Sequence, residues 1–184
     1  MGRVTLCANT SSGVHRGPTT LTCSTSTVLT ATSGTVSDCI ALASLTIQNT
    51  AITSFPVDFF VGLSALTYLN LDNNQLTLGG TTNIFSGLTA LQTLILTNNP
   101  ITSLNTATFA GNSSLSQLVT LSLGATRGSG TSVLAANIFS NLTRLTTLDL
   151  AGMRIASLPS NTFAGLTQMT KLNMTAMPLL TTIF

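Results

Sequence analysis

Seven times along its 184 residues the chain places an apolar pair with one residue between its members. The pairs begin at Leu21, Leu45, Leu69, Leu94, Leu121, Leu148 and Leu172, at intervals of 24, 24, 25, 27, 27 and 24. Their second members are Cys23, Ile47, Leu71, Leu96, Leu123, Leu150 and Met174. With each first member as position 0, Leu42, Leu66, Leu91, Leu118, Leu145 and Met169 stand at −3. Val28, Ile52, Leu76, Ile101, Ile155 and Leu179 stand at +7. Farther on come Phe60, Phe85, Phe109, Phe139 and Phe163, with Leu63, Leu88, Leu142 and Leu166 three residues after their phenylalanines. A sustained period of this length marks a stacked repeat architecture. In an extended segment successive side chains alternate, so positions 0 and +2 share one face and −1, +1 and +3 the other. One unit cannot bury its apolar face alone; stacked units bury a common column. The expectation is one parallel sheet, a strand for each of the seven pairs, with strands about 4.8 Å apart.

Composition narrows the function. Only 5% of residues are charged, against roughly 25% in an ordinary soluble domain, whereas 43% are hydrophobic and mean hydropathy is +0.49. Thr and Ser supply 35 and 20 residues. The apolar content argues against disorder. Six scattered cations make no basic patch, so no nucleic-acid partner is expected. No run of about 18 apolar residues occurs, so no membrane-spanning segment is expected. Met1 to Leu6 has no apolar h-region, so no signal peptide is visible there.

The register resembles the leucine-rich repeat family in its extracellular typical class, whose pattern runs Leu-x-x-Leu-x-Leu-x-x-Asn-x-Leu, Leu-Pro, Phe-x-x-Leu. Leu148 to Leu166 is the cleanest copy, with Leu158-Pro159 and Phe163-Ala164-Gly165-Leu166 in place. The resemblance covers residues 18 to 184. It implies a solenoid of the α/β leucine-rich repeat horseshoe type. Its parallel β-sheet would line the concave face, and short 3-10 or irregular returns the convex face. Residues 1–17 would form an N-terminal cap segment and 18–184 the solenoid, with a degenerate first unit, 18–41, and an incomplete last one. The chain stops at Phe184 in mid-unit, which suits either a fragment or an end covered by another copy.

Asp58, Asn83, Asn137 and Asn161 stand two residues before a phenylalanine and suit the cap of a short helical turn. The longer intervals place insertions at Gly79-Gly80, near Ser113 to Gln117, and at Gly128-Ser129-Gly130. In the family an Asn at +5 bonds buried backbone of the neighbouring turn. Here +5 holds Ser26, Thr50, Asn74, Asn99, Thr126, Met153 and Met177. The two methionines cannot donate, so the C-terminal units should be looser or satisfy their backbone differently.

Cys7, Cys23 and Cys39 are spaced by 16. They allow three single-bridge connectivities with one thiol left over, or three reduced buried thiols. Secreted members of the family often carry a cysteine-bearing N-terminal cap, and Cys7–Cys23 is the bridge we expect. Asn9, Asn112, Asn141 and Asn173 open N-x-Ser/Thr sequons and are candidate glycosylation sites.

Catalysis finds little support. His15 is the lone histidine, and no triad can be sketched around it. Asp72 and Asp149 stand three strands apart, roughly 14 Å, too far for paired-carboxylate glycoside chemistry. No catalytic residues, metal ligands or cofactors are expected. The outward face is more informative. In the family that face binds a partner, and here it carries Tyr68, Asn70, Asp72, Thr93, Ile95, Thr97, Asp149 and Lys171. The resemblance thus implies a non-enzymatic extracellular or cell-surface module whose concave face takes a protein or glycan ligand. Two alternatives compete. Low charge and hydroxyl richness suit copies stacked end to end in a glycosylated filament or coat. The Thr array suggests ice binding, although Tyr68, Asp72 and Lys171 interrupt it.

Overall fold

The computed structural model describes residues 20–24, 41–56, 58–78, 83–109, 111–124 and 132–183. The proposed cap 1–17, most of the first unit 18–41, the Gly79-Gly80 and Gly128-Ser129-Gly130 insertions, His15, Asn9, Cys7 and Cys39 lie outside them.

Seven parallel strands form one sheet. They are β1 (Thr20–Ser24), β2 (Ser44–Gln48), β3 (Tyr68–Asn70), β4 (Thr93–Ile95), β6 (Thr120–Ser122), β8 (Thr147–Asp149) and β10 (Lys171–Asn173), stacked in that order. The register follows the repeat: Leu21 pairs with Leu45, Leu45 with Leu69, Leu69 with Leu94, and so on to Leu148 with Leu172. Each return re-enters the sheet in the same phase because a slip of one residue would turn the whole apolar set to solvent. Beyond the strands the ladder continues from +2 amides to the next coil, as in Leu71 N to Ile95 O (2.8 Å) and Leu123 N to Asp149 O (2.8 Å).

Inside, the leucines at −3 and 0, and the leucines or Ile47 at +2, are buried from unit two to unit six. Each fully buried Leu, Ile or Phe contributes about 1.5–3 kcal/mol of transfer free energy, and the column repeats that gain in every coil. The phenylalanines form a second spine: Phe60, Phe85, Phe109, Phe139 and Phe163 follow one another at centroid separations of 6.3, 6.4, 5.9 and 6.5 Å. The last unit is less enclosed. Leu148 is fully buried, whereas its equivalent Leu172 is 38% exposed.

The coil bends out of the sheet at +4, where the backbone is left-handed. Asn49, Asn73 and Asn98 (φ 58°, 54° and 57°), Gly152 (73°) and Ala176 (53°) occupy that position. Asn and Gly tolerate this region because one has a short hydrogen-bonding side chain and the other no Cβ. A second left-handed point precedes the leucine after Phe, at Gly62, Gly87 and Gly165 (φ 95°, 88° and 85°).

The returns differ from the expectation in two ways. The residues two before Phe open their turns through backbone carbonyls: Val61 N donates to Asp58 O, Ser86 N to Asn83 O, Ser140 N to Asn137 O and Ala164 N to Asn161 O. Asp58 and Asn137 are themselves left-handed, φ 64° and 59°, a geometry unlike the extended backbone of a helix cap. The described returns also pair with one another as strands. β5 (Ser103–Leu104) pairs with β7 (Val133–Leu134), and β9 (Ser157–Leu158) with β11 (Thr182–Ile183), all parallel. A 3-10 turn, Ser113–Leu115, occupies the predicted insertion near Ser113 to Gln117.

Candidate functional site

The outward sheet face is ordered by the register. Its −1 column runs through Ser44, Tyr68, Thr93, Thr120, Thr147 and Lys171, and its +1 column through Thr46, Asn70, Ile95, Ser122, Asp149 and Asn173. Tyr68 and Ile95 sit on adjacent strands as diagonal neighbours, both partly exposed. The sheet thus brings together Tyr68, Asn70, Asp72, Thr93, Ile95 and Thr97, from β3, β4 and the residues that follow them. Asp149 and Lys171 stand on β8 and β10, away from this cluster.

Several of these polar side chains serve the fold. Asn70 Oδ1 accepts from Asp72 N (2.9 Å), and Asp149 Oδ1 accepts from Ala151 N (2.9 Å). Asn173 Oδ1 accepts from Thr175 N (3.2 Å) and Thr175 Oγ1 (2.9 Å). An Asx turn at +1 therefore ends these strands. Asn70 Nδ2 also donates to Gln48 Oε1 (3.3 Å). Asp72 Oδ1 accepts from Thr97 Oγ1 and from Asn98 Nδ2 (2.9 Å). Gln48, Asn70, Asp72, Thr97 and Asn98 make a pre-arranged polar rim beside Tyr68 and Ile95. Gln48 and Asn98 were not among the candidate site residues. The doublets Asn73-Asn74 and Asn98-Asn99 carried the available signal, since one Asn of each faces outward at the left-handed bend and the other is buried.

The buried ladder is built as expected where Asn stands at +5. Asn99 Oδ1 accepts from Leu76 N (3.0 Å), while its Nδ2 donates to Leu71 O (3.0 Å) and Leu96 O (2.9 Å). Thr50 takes part through its hydroxyl, which donates to Asn74 Oδ1 (2.7 Å). Met153 is fully buried and packs in the core instead. In that part of the stack Ser132 does polar work from a return: its hydroxyl donates to Ile101 O (3.1 Å) and its amide to Arg154 O (2.8 Å).

Asn112 differs from the other described sequon residues in its surroundings. It is 1% exposed, its carboxamide oxygen caps the 3-10 turn through Ser114 N (3.0 Å), and its Nδ2 donates to Asn83 Oδ1. The nitrogen a glycan would use is committed inside the folded chain. Asn141 is exposed on a return and Asn173 is half-buried on β10. Among the described residues no three His, Cys, Asp or Glu side chains are grouped to hold a metal, and no helix is long and apolar enough to cross a membrane.

Two family patterns match the sequence: leucine rich repeat over residues 40–78, and the BspA type leucine rich repeat region over residues 124–183. Among solved structures, the chain is similar to one in the crystal structure of a TLR13–ssRNA13 complex, at 28% identity and a TM-score of 0.67. That similarity covers 77% of this chain and 19% of that one, so the present chain spans about a fifth of its length. No curated protein matches the chain.

Proposed function

We propose that this chain, which belongs to the leucine-rich repeat family, is an extracellular module that binds a protein or glycan partner on its outward sheet face. The family is typically one of non-enzymatic binding modules, and its members generally serve protein interaction. One observation carries the location: Tyr68 and Ile95 lie as diagonal neighbours beside the hydrogen-bonded groups of Asn70, Asp72 and Thr97. An aromatic and an aliphatic side chain flanked by fixed polar groups suit an energetic centre. Thr93 supplies the adjoining hydroxyl, while Asp149 and Lys171 would touch only a ligand long enough to cross to β8 and β10.

The extracellular placement draws on the low charge, the family's typical class and the sequons at Asn141 and Asn173, whose glycans would supply solubility that charge does not. The RNA in the TLR13 complex forms no part of the proposal. The outward positions of the described strands carry one cation, Lys171, and two acids, Asp72 and Asp149, whereas RNA binding needs clustered cations.

The test is partner capture from the native surface with the wild-type chain and with Tyr68→Ala. The variant should recover at least tenfold less partner while keeping its circular dichroism. Equal recovery would remove the face as the site. Sedimentation of the native product separates this reading from end-to-end stacking, which requires long polymers.

A further inference from the structure

A second site is built at the strand entrances, where the returns re-enter the sheet. An open groove of about 570 Å³ is lined there by Val119, Thr143, Arg144, Thr146, Thr167 and Gln168. These residues recur at fixed repeat positions. Gln117, Arg144 and Gln168 are all at −4 in successive units, and Thr143 and Thr167 at −5. Stacking therefore sets one guanidinium between two carboxamides, with a row of hydroxyls alongside. Arg144 Nη1 donates to Gln117 Oε1, which orients the planar fork. None of the lining residues is acidic or aromatic.

We propose that this groove binds an acidic polysaccharide, with Arg144 taking a carboxylate or sulfate oxygen pair and the Thr and Gln side chains taking sugar hydroxyls. The guanidinium presents parallel donors that match two oxygens of one anionic group. Hydroxyl and carboxamide groups both donate and accept, as sugar hydroxyls do. Single-stranded nucleic acid wants stacking platforms for its bases, and the groove has none. The site is separate from the Tyr68 face, so either can fail without the other.

The test is calorimetric titration of the folded chain with polygalacturonate, dextran sulfate, uncharged dextran and poly(U), repeated with Arg144→Gln and Tyr68→Ala. Arg144 is exposed, so the variant should fold. At least one acidic polysaccharide should bind, about tenfold or more weakly to Arg144→Gln, since hydrogen bonds to charged groups are the strong ones. Tyr68→Ala should bind it as the wild type does. Loss confined to polygalacturonate assigns a carboxylate, and loss confined to dextran sulfate a sulfate ester. Equal binding by Arg144→Gln, no binding of either acidic polymer, equal binding of uncharged dextran, or tighter binding of poly(U) would each overturn the proposal.

Discussion

Asn74 holds Thr50 across one full coil. Its Oδ1 accepts from Thr50 N (3.0 Å) and Thr50 Oγ1 (2.7 Å), while its Nδ2 donates to Ile47 O (2.7 Å) and Leu71 O (3.0 Å). One carboxamide thereby satisfies groups of two adjacent coils at a position with no access to water. Asn74→Leu would leave these groups buried and unpaired, each at about 1–3 kcal/mol. The variant should lose about 3 kcal/mol or more, read as a fall in the urea midpoint. A shift under a third of that would show that the backbone finds other partners.

Gly165 has the tightest surroundings for an added side chain among the described glycines. Its φ is 85°, and a methyl there would collide with the backbone carbonyl of Ser140. Gly165→Ala should destabilise by about 2 kcal/mol or more, since left-handed backbone alone costs a residue with a Cβ about 1–2 kcal/mol. Gly111→Ala is the comparison: its nearest contact would be Ala107 Cα at 3.2 Å, with φ outside the left-handed region. It should cost clearly less in the same melt.

Ala176 runs the other way. It is exposed and sits at φ 53°, where equivalent coils place Asn49, Asn73, Asn98 and Gly152. Ala176→Gly should raise stability by about 0.5–1 kcal/mol by relieving the strain. Thermal unfolding checks it, and a lower midpoint would contradict the left-handed assignment.

Phe109 lies between Phe85 and Phe139 in the spine, at centroid separations of 6.4 and 5.9 Å, and is fully buried. Phe109→Ala should cost about 3–5 kcal/mol. Phe163, at the less enclosed end, should cost markedly less on the same change. Equal losses would mean that the spine is capped beyond Phe163.

Asn112 should carry no glycan. Peptide mapping of product from a glycosylating host should find it bare, whatever the state of Asn141 and Asn173. Asn112→Ala should also destabilise by about 1 kcal/mol through loss of the cap. A glycan on Asn112 would mean that the 3-10 turn does not form as described.

Much of the architecture was legible because a repeat proclaims its own register. Leu45 and Leu69 had to face inward, for no single coil can bury them, and the constant spacing made every Leu the partner of the next. The outward columns from Ser44 to Lys171 followed from alternation alone. The strand pairs in the returns were not legible, since two-residue pairings such as Ser103–Leu104 with Val133–Leu134 carry no pattern of their own. Nor was the role of Ser132, which donates to Ile101 O across the insertion.

The sequence by itself determined that apolar side chains would share a dry spine and that a hydroxyl-rich sheet would face out, because burial and strand alternation depend only on the order of residue types. The tertiary structure alone decided which polar groups remain to meet a ligand. Asn70, Asp149 and Asn173 turn back on their own backbone, and Asn112 is sealed inside a return. Arg144 donates to Gln117 Oε1 of the neighbouring coil. Hydrogen-bond partnership is set by distances of a few ångströms between coils, and those exist only once the stack has closed.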